Sequence, residues 1–76
     1  MKEFRGKFVG GALDGEIILE NDDDSFSSDV AAVVIRCGRE NGVGGTFFCL
    51  RSHYRITRWE ETPQEIIVEA EFFEPG

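Results

Sequence analysis

Cysteine, histidine and long apolar runs are all scarce in this chain, and each scarcity closes a route to function. Two cysteines allow at most one disulfide. A single histidine, His53, leaves little material for imidazole-based catalysis or a zinc site. The longest unbroken apolar run covers only residues 30–35, so nothing reads as a membrane-spanning segment. Basic residues are outnumbered, 8 Lys and Arg against 15 Asp and Glu, for a net charge of −7. Such a surface repels phosphate, and direct nucleic-acid binding is disfavoured. Residues 1–5 are charged and no export-type apolar stretch follows them. The expectation is a cytoplasmic protein with reduced thiols.

What is present is 76 residues, 41% of them hydrophobic, with seven Phe. That length suits a single domain over 1–76 and is too short for a Rossmann pair or a barrel enzyme. A domain this small buries about 60% of its unfolded surface, so each aromatic matters and a partner subunit is a natural source of further burial.

The dominant period is two. Phe4 and Phe8 alternate with Glu3, Arg5 and Lys7, which predicts an amphipathic strand. Gly10-Gly11-Ala12-Leu13-Asp14-Gly15 predicts a tight reversal into a second strand over residues 16–20. Asp22, Asp23 and Asp24 head a polar break in which Phe26 reads as a plug returning to the core. The aspartates lack the Gly and terminal Glu of a calcium loop, and read as a solvated acidic loop.

Residues 29–37 are ambiguous. Val30, Val33, Val34 and Cys37 fit a helical stripe, whereas the β-branched run Val33-Val34-Ile35 favours a strand. The strand reading is preferred, with one short helix near 29–37 as the alternative. Asn41-Gly42 is a hairpin signal. A long strand over 46–57, a break at 59–63 ending in Pro63, and a last strand over 64–73 complete the reading. Parity suggests that Tyr54 faces Ala70 and Ile56 faces Val68, with His53 opposite Glu71 and Arg55 opposite Glu69. The predicted fold class is mainly β: a small antiparallel meander or open barrel of about five strands.

Three groups of residues invite a function. Cys37, Cys49 and His53 could form a metal- or thiol-dependent site, but their spacing lacks paired Cys-x2-Cys and a fourth ligand. Buried thiols acting as small hydrophobes are the preferred reading of the cysteines, and no metal or cofactor is assigned. Whether Cys37 and Cys49 lie side by side depends on where the Gly-rich turn is centred. Arg51, Arg55 and Arg58 surround His53 in sequence, yet so small a sheet has little room for a water-excluding pocket, and an enzyme is not expected. The third group is more informative. Ile17-Ile18, Val33-Val34-Ile35, Phe47-Phe48, Ile66-Ile67 and Phe72-Phe73 each put one large side chain on either face of a strand, which a helix at 29–37 or another chain would have to cover. A sheet with one wet face should alternate cleanly. Ile18, Phe48, Trp59, Ile67 and Phe73 therefore form a candidate interface, for a protein partner or for a second copy in a homodimer. The acidic excess offers another route, as a decoy or adaptor for a basic, nucleic-acid-binding partner.

The stretch Phe8-Val9-Gly10-Gly11-Ala12-Leu13-Asp14-Gly15, with the pair Tyr54-Arg55, resembles a group of short, uncharacterised phage, prophage and bacterial proteins. These open with a strand, a Gly-Gly-Pro-Leu-Asp-Gly turn and a second strand. Ala12 stands where the group has Pro. The resemblance implies a small β-rich domain and supplies no activity, cofactor or catalytic residue. On sequence grounds Gly10, Gly11, Asp14 and Gly15 are structural turn residues, as are Asn41 and Gly42 in the second turn.

Overall fold

The computed structural model describes residues 2–21 and 29–75. The acidic loop at Asp22, Asp23 and Asp24 and the plug at Phe26 lie outside the described residues. Five strands and one helix follow in the order β1 (Lys2–Val9), β2 (Gly15–Asn21), α1 (Asp29–Asn41), β3 (Thr46–Cys49), β4 (Ser52–Glu61) and β5 (Glu65–Phe73). The strands form one open sheet in the order β2-β1-β5-β4-β3. The mainly β class and the count of five strands agree with the sequence reading, although one expected strand is a helix and another is two strands. The connectivity differs at one pairing: β1 and β5 run parallel, Glu3 beside Glu65 through Val9 beside Glu71, while the other pairs are antiparallel. The sheet is therefore mixed, and it does not close.

Residues 29–41 are helical rather than extended. Ala31, Val34, Ile35 and Cys37 are buried along one stripe, while Ala32, Val33 and Arg36 are exposed. Burying that stripe against the sheet outweighs the modest helical penalty of the Val-Val-Ile run. The helix also extends past Cys37 to Asn41. Asn41-Gly42 is accordingly a helix end and not a hairpin turn. The Gly42 N–H donates to the Gly38 carbonyl at 2.8 Å, and Gly42 has φ of 68°, the left-handed conformation that stops a helix.

The helix covers one face of the sheet. Phe4 and Phe8 of β1, Phe47 of β3, Tyr54 and Ile56 of β4, and Ile66, Val68 and Ala70 of β5 all point into this core. Full burial of each large side chain stabilises by about 1.5–3 kcal/mol. Gly38 lets the helix pack closely on Trp59: a Cβ there would sit 2.2 Å from the indole ring.

The Gly-rich turn folds over the end of this core as well as joining β1 to β2. Tyr54 donates its hydroxyl hydrogen to the Gly10 carbonyl at 2.6 Å and accepts from the Leu13 N–H at 2.8 Å. The Ala12 N–H donates to Ser52 Oγ at 3.1 Å. Asp14 closes the turn by accepting the Gly10 N–H at 2.8 Å. Gly11 has φ of 66°, and a Cβ there would lie 2.5 Å from the Tyr54 hydroxyl, so glycine is required on both counts. Gly10 and Gly15 also have positive φ, as a turn at this point demands.

The expected single strand over 46–57 is two strands. Leu50 and Arg51, at φ of 51° and 66°, form a two-residue reversal between Cys49 and Ser52. Two consecutive positive φ values match the mirror-image turn preferred in hairpins, here made without glycine. Pairing then continues to Glu61 opposite Ile66, beyond the break expected at 59–63.

Candidate interaction face

No described element covers the second face of the sheet, so its chemistry follows from strand register. Side chains alternate between faces, and neighbours in register form rows across the strands. At one end lies an acidic row, Glu20–Glu3–Glu65. Next comes Ile18–Arg5–Ile67–Glu60, then the alternating row Glu16–Lys7–Glu69–Arg58. Val9–Glu71–Arg55–Thr46 follows. The far end is aromatic: Phe73–His53–Phe48.

Opposite charges face one another over the middle rows. Arg58 donates to Glu69 at 3.1 Å and to Glu60 at 2.8 Å, and these hydrogen bonds hold its pKa above the ordinary arginine value. Arg5 donates to Glu3, with the same effect. A shallow, open depression of about 270 Å³ over Ile67 is rimmed by Arg5, Lys7, Arg58, Glu16 and Glu69. Its three cations and two carboxylates are interleaved, Lys7 beside Glu16 and Glu69 and Arg58 beside Glu69.

The aromatic end is different. The His53 ring lies 4.6 Å from Phe48 and 5.8 Å from Phe73, centroid to centroid. The Arg55 guanidinium carbon sits 4.8 Å above the Phe73 ring, a cation–π contact. Phe48 is 57% exposed even within this stack, and Leu50 at the neighbouring tip is 61% exposed. The end thus holds one exposed ring, Phe48, two half-buried ones and a single guanidinium, Arg55.

Compared with protein families, curated proteins and solved structures, the chain matches none. The face must be read from its own residues.

Of the five residues expected at an interface, Ile18, Phe48, Ile67 and Phe73 lie on this uncovered face. Trp59 does not. A β-bulge at Thr57 inserts one residue, so that Ile56 faces Ala70 but Arg58 faces Glu69. Parity reverses beyond it and Trp59 packs on the helix side, opposite Val68 and against Gly38. The register also differs from the expected one: Tyr54 faces Phe72, Ile56 faces Ala70, Arg55 faces Glu71 and His53 faces Phe73. The shift is even, so each side chain up to the bulge keeps its face while its partner changes.

The sheet separates the residues of the supposed metal or thiol site. Cys37 is a buried helical thiol whose Sγ donates to the Thr46 carbonyl at 3.4 Å. Cys49 is a free thiol packed at the core margin, while His53 stands on the opposite face between two phenyl rings. Among the described residues no three Cys, His, Asp or Glu side chains converge as metal ligands. Also among the described residues, no helix is long and apolar enough to cross a membrane.

Sequence reasoning missed the acidic row and the stacking of Arg55 on Phe73. The alternation of Glu3 and Glu20 was a usable signal once the first hairpin was drawn. Placing Glu65 beside them required the parallel β1–β5 pairing, which no local pattern announces.

Proposed function

We propose that the chain is a non-enzymatic protein-contact domain that pairs with a second copy through the helix-free face of its sheet. The observation that carries this reading is the aromatic row Phe48–His53–Phe73, with Phe48 exposed and His53 and Phe73 half-buried, flanked by Arg55 on a face that no described element covers. The separation of His53 from both thiols supports a binding role over catalysis, because the only imidazole has no thiol to activate. Sedimentation velocity from ~1 to ~100 μM, a range that spans ordinary dimer constants, tests it. The expected result is reversible dimerisation that the double substitution Phe48→Ser/Phe73→Ser abolishes, with the melting temperature little changed. A wild-type monomer throughout that range would end the homodimeric reading.

A second reading, an acidic adaptor for a basic partner, draws on the row Glu20–Glu3–Glu65. Like charges directly opposite one another weaken a sheet, and a basic partner would relieve that repulsion. Such binding would weaken steeply with salt, whereas contact through the aromatic end would not.

A further inference from the structure

The two edges of the sheet are built differently. β3 is only four residues long, and a short edge offers little to a passing strand. β2 has seven residues, pairs with β1 without a bulge from Asn21 to Gly15, and contains no Pro, Lys or Arg. Among the described residues no strand pairs with its outer side. Such an edge keeps a row of main-chain donors and acceptors ready for another strand. Its side chains set the terms. Ile17 and Leu19 on the helix side are only partly buried, Ile18 on the other face is 50% exposed, and Glu16 and Glu20 flank Ile18.

We propose that the β2 edge takes up an extended, basic segment of a partner protein as a sixth strand. The inference rests on the adaptor reading and supplies its mode of binding and its partner chemistry. Main-chain hydrogen bonds would give affinity, and alternate side chains would give selectivity. The matching segment carries Lys or Arg opposite Glu16 and Glu20. Between them it carries apolar or β-branched residues that complete the cover over Ile17 and Leu19. A second copy fits poorly at this edge. Two-fold antiparallel pairing centred on Ile18 would set Glu16 against Glu20 of the second copy, and the reverse. The edge is therefore selective by charge, accepting a basic strand and refusing its own kind.

The test is a titration of the full chain with a blocked peptide Lys-Val-Thr-Val-Lys flanked by glycines, and with its counterpart Glu-Val-Thr-Val-Glu. Amide hydrogen exchange locates the contact. The expected result is saturable binding of the basic peptide with slowed exchange confined to β2, and affinity at least about tenfold weaker for the acidic peptide. The variant Glu16→Gln/Glu20→Gln should erase that preference without setting a like charge against Lys7, and both positions are exposed. Equal affinity for the two peptides, or no binding up to ~5 mM, the weak end of measurable affinity, would overturn the proposal. So would protection of β2 that rises with protein concentration alone, since that would make a second copy the occupant. Perturbation centred on Phe48 and Phe73 would also overturn it, while leaving contact through the aromatic face intact.

Discussion

Tyr54 uses both hydrogen-bonding capacities of its hydroxyl on one turn, and does so from wholly buried surroundings. It also stacks on Phe47 at 5.5 Å and meets Phe8 and Phe72 edge-on. Tyr54→Phe keeps the rings and removes the two bonds. The Gly10 carbonyl and Leu13 N–H would lose a buried partner, at a cost of about 1–3 kcal/mol in unfolding free energy by chemical denaturation. A smaller loss would mean that water reaches the turn. Glu61 is the other residue with an outsized role. It accepts from Arg39 at 2.6 Å and from Lys2 at 3.0 Å, with its own side chain 27% exposed. These contacts, Arg39 first, lower its pKa from 4.5 to about 2 against the opposing effect of burial. A folded-state pKa below the unfolded one stabilises the fold above the unfolded value, and that stability drains away as pH falls through the folded one. Partial exposure screens the pair, so its worth is ~1–2 kcal/mol rather than the whole shift. Glu61→Gln should lower stability by that amount near pH 6, with the gap to wild type closing between about pH 4.5 and pH 2.

At the scale of elements, hydrophobic period identified β1, β2 and β5 directly, because each has one face against the core and one against water. It failed where a local rule was overruled by something distant. The helix α1 carries a β-branched run that suits a strand, and only the burial of Ala31, Val34 and Ile35 against the sheet decides the matter. The bulge at Thr57 moved Trp59 from the expected interface into the core margin, and no Gly marks it in sequence. The reversal at Leu50 and Arg51 was invisible for the same reason: neither residue signals a turn. Both hold positive φ, which costs of order 1–3 kcal/mol per residue for side chains of this kind. Replacing the pair with Leu50→Asn and Arg51→Gly should therefore raise stability by about 1–2 kcal/mol, seen as a melting temperature several degrees higher. An unchanged melting temperature would show that the surroundings already relieve the strain.

For the whole molecule, composition alone suggested a domain short of burial, with apolar side chains on both faces of its strands. The uncovered face holds fewer of them than that reading implied. Its middle rows are charge-paired and its apolar residues gather at the Phe48 and Phe73 end, with Ile18 and Ile67 beside Arg5. Four of the five residues expected at an interface were placed on the right face of the sheet, because parity survives an even register error; the fifth was misplaced by a bulge that inverts parity. The parallel β1–β5 pair has a further consequence for how the chain is made. β1 leaves the ribosome before β2 and β5, and can pair with β2 through the short Gly-rich turn as soon as that strand follows. Its other edge waits for β5, since Glu3 lies beside Glu65 and Phe8 beside Ala70. Until the last strand arrives, the first hairpin carries an open edge and the bare phenyl rings of Phe4 and Phe8. Non-local pairing of this kind slows folding and exposes nascent chains to aggregation. Glu16 and Glu20 guard the outer edge of that hairpin against its own copies, so the same two carboxylates that would select a partner strand protect the unfinished protein during synthesis.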